Sequence, residues 1–138
     1  METISATQVR KTWSETCDNA ARVRPAFIKR TRDVFMLVNS NDLIKLLRYV
    51  NYHAKVLKEK EGVTLSLEEM DLVVHAENED AALTKLAADI LEYAEEYYDN
   101  YSLYSASPNR AEHAPYIIKA LLLDDVEKIK GEIVCQNG

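Results

Sequence analysis

Apolar residues near the start of the chain recur at Val9, Trp13, Cys17 and Ala20, and spacings of four, four and three place them on one face of a helix. The pattern predicts that helix over about 6–22, with Ser5 as N-cap and Arg10, Lys11, Ser14 and Asp18 on its other faces. Glu2 to Ile4 has room only for an edge strand. Pro25 ends the connection that follows. Ala26 to Arg30 and Val34 to Val38 are short β-rich runs around the polar Thr31-Arg32-Asp33, as a tight antiparallel hairpin requires. Asn39 or Ser40 then caps a second helix through about Tyr52, with Leu43, Leu46, Leu47 and Val50 inward.

The periodicity changes at Tyr52. Ala54 to Lys60, Val63 to Leu67 and Met70 to His75 read as three short strands; Gly62 supplies the positive φ of a turn, and Val63, Leu65 and Leu67 form one apolar face. Asn78 opens a long helix, with Glu79 and Asp80 in its first turn and Leu83, Leu86, Ala87, Ile90, Leu91, Ala94, Tyr97 and Tyr101 along its packing side. Ser107-Pro108 interrupts it. Pro115 suits the first turn of another helix carrying Tyr116, Ile117, Ala120, Leu121 and Leu122 inward, and Asp124 or Asp125 caps a last helix through Val134. The expected fold class is α+β: a β-α-β-β-α module over residues 1–52, then a module of hairpin, strand and helices over 53–138, joined through Tyr52-His53 without a flexible linker.

Charge sharpens this division. Residues 1–52 hold nine Lys and Arg against five acids, a balance of +4, while the remainder holds eight against eighteen, a balance of −10. A basic end suits phosphate and an acidic end suits a basic protein, although charged surfaces also serve solubility alone. With 47% hydrophobic residues, three Gly and three Pro, the chain reads as folded, and no segment approaches a membrane span. The start shows no export signal, and Cys17 and Cys135 are expected to be reduced, so a cytoplasmic protein is expected.

No catalytic set stands out. His53, His75 and His113 lack metal-site spacing, neither cysteine lies in a Cys-x-x-Cys, and there is no phosphate loop or nucleophile elbow, so no enzyme activity, metal or cofactor is expected. Glu68-Glu69 and Glu95-Glu96 read as solvated acids, and His75 as a half-buried strand residue. Binding chemistry is clearer. Ser5, Thr7, Gln8 and Arg10 gather at a predicted helix N-terminus, where backbone N–H groups and the dipole favour phosphate, and Gln8 or Arg10 could reach a base edge. Lys11, Lys29, Arg30 and Arg32 add positive charge. A two-fold dimer would present two such ends to a palindromic site. Phe27, Phe35 and Leu37 could face a second subunit or form an intrachain core. The run Tyr93, Tyr97, Tyr98, Tyr101 and Tyr104 wraps more than one helix face, so Tyr97 and Tyr101 are expected to pack. Tyr93, Tyr98 and Tyr104, beside Glu95 and Glu96, are candidates for a protein partner or for intrachain packing.

Residues 3 to 50 resemble the N-terminal module of Phd/YefM antitoxins. The resemblance rests on Ser5-Ala6-Thr7 at the helix start, Arg10 early in the first helix, Pro25 at the turn into the hairpin, and Ile28-Lys29-Arg30 where the family has Ile-Thr-Arg. Arg32 stands where the family often has Gly, Val34 replaces a common Pro, and the second helix starts one residue short. The resemblance implies a homodimer that sets these basic groups against operator DNA, represses its own operon and neutralises a toxin. That toxin would be a small basic ribonuclease of the RelE/ParE type. Residues 54 to 98, with Asp80-Ala81-Ala82-Leu83 near a helix start, are similar to the partial double-stranded-RNA-binding-like fold of HicB-type antitoxins, which implies a toxin-engaging surface on that sheet and helix. A stand-alone dimeric transcription regulator or adaptor without a toxin is the alternative.

Overall fold

In the computed structural model, which describes residues 1–137, the chain is α+β and divides into two units, Met1–Leu46 and a second beginning at Leu47. Each unit has its own sheet. In the first, β1 (Ile4–Ser5) lies parallel to β2 (Ala26–Arg30), and β2 pairs antiparallel with β3 (Asp33–Leu37) in a register running from Ala26 opposite Leu37 to Arg30 opposite Asp33. That register leaves Thr31 and Arg32 as a two-residue turn. Thr31 takes φ 56°, an uncommon conformation for a β-branched residue and the positive φ that a hairpin turn needs at its first central position.

The first predicted helix is in fact two, α1 (Ala6–Lys11) and α2 (Trp13–Arg22). Thr12 sits between them at φ −122° and ψ 35°, with its hydroxyl donating to the Gln8 carbonyl at 3.0 Å. This is the competition between side chain and backbone that makes Thr a poor helix-interior residue. The break shifts the inward face. Thr16 and Ala20 are buried with Val9, Cys17 is half-buried, and Trp13, expected inward, is exposed. Helix α3 (Ser40–Leu46) is capped by Asn39, whose Oδ1 accepts the Asn41 N–H at 2.9 Å, but it ends well short of Tyr52 and leaves Leu46 exposed. A longer helix would consume Tyr52, whose fully buried ring and hydrogen bond to the Tyr116 carbonyl (2.7 Å) require an extended backbone.

The second unit begins with that residue. β4 (Tyr52–Glu59), β5 (Gly62–Leu67) and β6 (Val73–Ala76) form an antiparallel meander, followed by α4 (Glu79–Asp99), α5 (Tyr101–Ala106), a 3-10 turn at Ala111–His113, α6 (Ala114–Leu123), α7 (Val126–Gly131) and β7 (Ile133–Asn137). β7 lies parallel to β4, giving sheet order β6-β5-β4-β7. The expected last helix therefore stops at Gly131, and Val134 belongs to a strand: Ile133 and Cys135 pack against the core on alternate residues. The long helix also ends sooner than expected, at Asp99, where Asn100 leaves helical geometry and Tyr101 starts a new segment 40% exposed. His75, expected half-buried, is exposed on the outer side of β6.

One sheet face carries Ala54, Val56, Val63, Leu65, Leu67 and Val74 into a core completed by Leu86, Ile90, Tyr97, Ile117 and Ile129. Each such aliphatic side chain contributes about 1.5–3 kcal/mol by leaving water. Gly62 is required by more than its φ of 134°, since a Cβ there would lie 2.3 Å from the Ala76 carbonyl oxygen across the sheet. Lys119 is buried among these residues at 1% exposure, with Nζ donating to the Val50 carbonyl at 2.6 Å and to Glu132 Oε2 at 3.1 Å.

Candidate functional site

The residues read as DNA-binding all lie at the surface of the first unit: Ser5, Thr7, Gln8, Arg10, Lys11, Lys29, Arg30 and Arg32 are exposed. The sheet brings two of the groups together, because β1 and β2 pair with Ser5 opposite Lys29. Ser5 caps α1 as its sequence suggested, accepting the Gln8 N–H at 3.1 Å, so its hydroxyl oxygen is already engaged. Lys29 and Arg30 project from opposite faces of the hairpin, and Arg32 occupies the turn between its strands. Among the described residues, none of Arg10, Lys11, Lys29, Arg30 and Arg32 is in an ion pair. Arg30 stands opposite Asp33 across the hairpin turn.

The same unit has little interior. Its buried side chains are Val9, Thr16 and Ala20, whereas Val34, Phe35 and Met36 are each about half exposed along β3, at 48%, 53% and 44%. Phe27 and Leu37 are half-buried. Beside β2, Ile4, Val23, Pro25, Ala26 and Phe27 line an apolar groove of about 660 Å³.

In the second unit, the tyrosine run separates into anchored and free members. Tyr93 Oη is 2.8 Å from His113 Nδ1, Tyr97 Oη donates to the Arg110 carbonyl at 2.9 Å, and Tyr104 Oη donates to Glu96 Oε1 at 2.9 Å. The Arg110 guanidinium lies over the Tyr104 ring at 4.2 Å and faces Tyr93 at 5.9 Å. Burial holds the phenols of Tyr93 and Tyr97 above their ordinary pKa and the His113 imidazole below its own. Tyr93, Glu96 and Tyr104 are thus occupied in fastening α5 and the following turn to α4. Tyr98 is 63% exposed beside exposed Glu95, and Leu103 is 64% exposed on α5. Arg110, the hub of this cluster, has no periodic signal in the sequence because it lies in a loop.

A third grouping escaped the histidine spacing. His53 on β4 and Glu68 just beyond β5 are cross-strand neighbours, one step past the Ala54–Leu67 pair, and Glu69 folds back onto them. Both Glu69 carboxylate oxygens accept the His53 backbone N–H at 3.0 Å, and Oε1 also meets the His53 Nδ1. Lys55 Nζ lies 3.7 Å from Glu68 Oε1. The Glu69 side chain is only 11% exposed, so it is not the solvated acid its neighbour and position suggested. Among the described residues no helix is long and apolar enough to cross a membrane, and both cysteines are free.

The model of the PHD-like family, described as antitoxin of toxin-antitoxin, RelE/RelB, TA system, matches residues 1–135. No curated protein matches the chain. Among solved structures, the chain is similar to a protein of Syntrophomonas wolfei subsp. wolfei whose crystal structure is described as the antitoxin part of a proposed toxin/antitoxin system. The two are 36% identical, each is covered over 100% of its length, and the TM-score is 0.95.

Proposed function

The chain belongs to the PHD-like family, antitoxins of RelE/RelB toxin-antitoxin systems, and from that premise we propose that it neutralises its toxin by direct binding and represses its own operon as a DNA-bound dimer. The observation that carries the DNA half is the set of five exposed, unpaired cations on the first unit, Arg10, Lys11, Lys29, Arg30 and Arg32, against a chain of net charge −6. In the Phd/YefM manner, these groups contact phosphates on both sides of an operator's centre, and Gln8 or Arg10 reads base edges. Ser5 caps α1 and Thr7 lies in its first turn in this arrangement. Dimerisation follows from the unit's poor interior: three buried side chains do not hold 46 residues, and a partner along the edge strand β3, where Val34, Phe35 and Met36 are each about half exposed, supplies the missing burial.

The toxin, of RelE or ParE type and basic, is assigned to the acidic second unit, on α4 and α5. Tyr98 is the central contact and Glu95 an adjoining charge; Tyr93, Glu96 and Tyr104 shape the surface through the Arg110 cluster. The protein acts stoichiometrically, without catalysis or cofactor, in the cytoplasm.

Operator binding tests the reading. Arg10→Ala and Arg30→Ala are expected to weaken binding to the protein's own promoter and to flatten the slope of log affinity against log salt by about one per lost phosphate contact, with the fold intact by circular dichroism. Unchanged affinity and slope in both variants would refute the assignment. Binding that persists while the neighbouring gene product fails to associate would leave a stand-alone regulator.

A further inference from the structure

The geometry points to a transition-metal site of the Zn2+ class on the outer sheet face of the second unit, formed by the His53 imidazole and the carboxylates of Glu68 and Glu69. The three groups offer one nitrogen and two oxygen donors, and their ligand atoms all lie within 4.8 Å of one another. A cation at about 2.0–2.2 Å from each donor sets such atoms about 3–4 Å apart, so the ion enters by opening the direct His53 Nδ1–Glu69 Oε1 contact. The scaffold is already fixed. β4 and β5 set His53 opposite Glu68, the Glu68 N–H donates to the His53 carbonyl at 2.8 Å, and the His53 N–H holds both Glu69 oxygens.

Charge favours a dication there. With a neutral imidazole, the two carboxylates face one nearby cation, Lys55, at 3.7 Å from Glu68, which leaves a formal −1. Glu69 is nine-tenths withdrawn from solvent without any Lys or Arg partner among the described residues. An imidazole with two carboxylates suits Zn2+, Co2+ or Mn2+ better than Ca2+ or Mg2+, which take oxygen-only sets. Binding puts the ion in place of the His53 Nδ1–Glu69 Oε1 contact, any proton on that nitrogen passing to solvent, and frees Lys55 from Glu68. The ion then staples the start of β4 to the turn between β5 and β6, and the open sheet face leaves its remaining positions to water.

The test uses the full chain, stripped with a chelator and titrated with ZnCl2 by calorimetry. One equivalent is expected to bind saturably and to raise the thermal midpoint as free metal exceeds the Kd. His53→Gln and Glu68→Gln, both at side chains about one-third exposed, should keep the fold by circular dichroism and weaken binding at least tenfold. CoCl2 should give d–d absorption without a sulfur-to-metal band. Absence of saturable binding to the wild-type chain, titrations unaltered in both variants, or a thiolate band placing the metal on Cys17 or Cys135, would each overturn the site. None of these readouts involves toxin or DNA, so failure here is distinct from failure of the antitoxin mechanism.

Discussion

At the scale of single residues, polar side chains in this protein are placed by what their neighbours need. Lys119 is the clearest case: in the sequence it is one more charge within an apolar helix, and in the fold it is nearly inaccessible because the Val50 carbonyl and Glu132 require its protons. Tyr52 shows the same logic with a pH consequence. Its phenol is pushed well above the usual range, first by burial and then by the carboxylates of Glu132 and Glu69. The fold keeps the neutral form at pH values where the unfolded chain ionises. Its contribution to stability is therefore complete below about pH 10 and declines above it, by up to about 1.4 kcal/mol per pH unit for this one group. Urea unfolding between pH 9 and 11 should show that decline, and Tyr52→Phe should make it shallower; equal slopes in the two proteins would mean that this tyrosine is not responsible. Tyr98 belongs to the opposite class, exposed and without a side-chain hydrogen bond to another described residue. If it anchors the toxin, Tyr98→Ala should speed dissociation about tenfold or more, while Glu95→Lys should slow association, and less so at high salt. Surface kinetics with the purified toxin separate the two effects.

At the scale of elements, caps and turns were legible and endings were not. Ser5, Asn78 and Asp125 each accept the backbone N–H three residues on, as their positions before apolar periodic runs indicated. Asn78→Ala should accordingly cost about 1 kcal/mol in the unfolding free energy, and a loss below about 0.3 kcal/mol would show that the neighbouring β6 turn holds the helix start instead. Thr12 and Asn100 interrupt helices whose apolar periodicity runs through them, because a local side-chain hydrogen bond is available at each: Thr12 Oγ1 to the Gln8 carbonyl, and Asn100 Nδ2 to the Glu96 carbonyl at 2.8 Å. β7 was hidden for a different reason. Five residues following a helix give no strand signal until β4 offers an edge to pair with.

At the scale of the whole molecule, the division near residue 46 implies a different cut from the one the periodicity suggests. A chain ending near His53 would carry the first two residues of β4 and leave the second unit without Tyr52, one of its two largest fully buried side chains. Separation after Leu46 keeps both sheets whole. The fragment 1–46 is expected to retain weak, salt-sensitive operator binding as a dimer and to lose toxin binding, and the fragment from residue 47 the reverse. Gel retardation and toxin pull-down on the two fragments decide this, and rescue of toxin-expressing cells by the fragment 1–46 would place the inhibitory surface in the first unit.

The sequence by itself determined the α+β class, the hairpin of the first unit, the meander of the second, the starts of α1, α3, α4, α6 and α7 and the inward faces of β5 and α4, because each follows from a period of 2 or 3.6 or from a cap that acts within one turn. Only the tertiary structure decided the partners across those elements: β7 beside β4, Arg110 over Tyr104, Lys119 beneath Val50, and His53 against Glu68 and Glu69. These pairs are separated by 6 to 81 residues, and the energy that selects them comes from pairing and burial when distant segments meet, which no local pattern of hydrophobic and polar positions encodes.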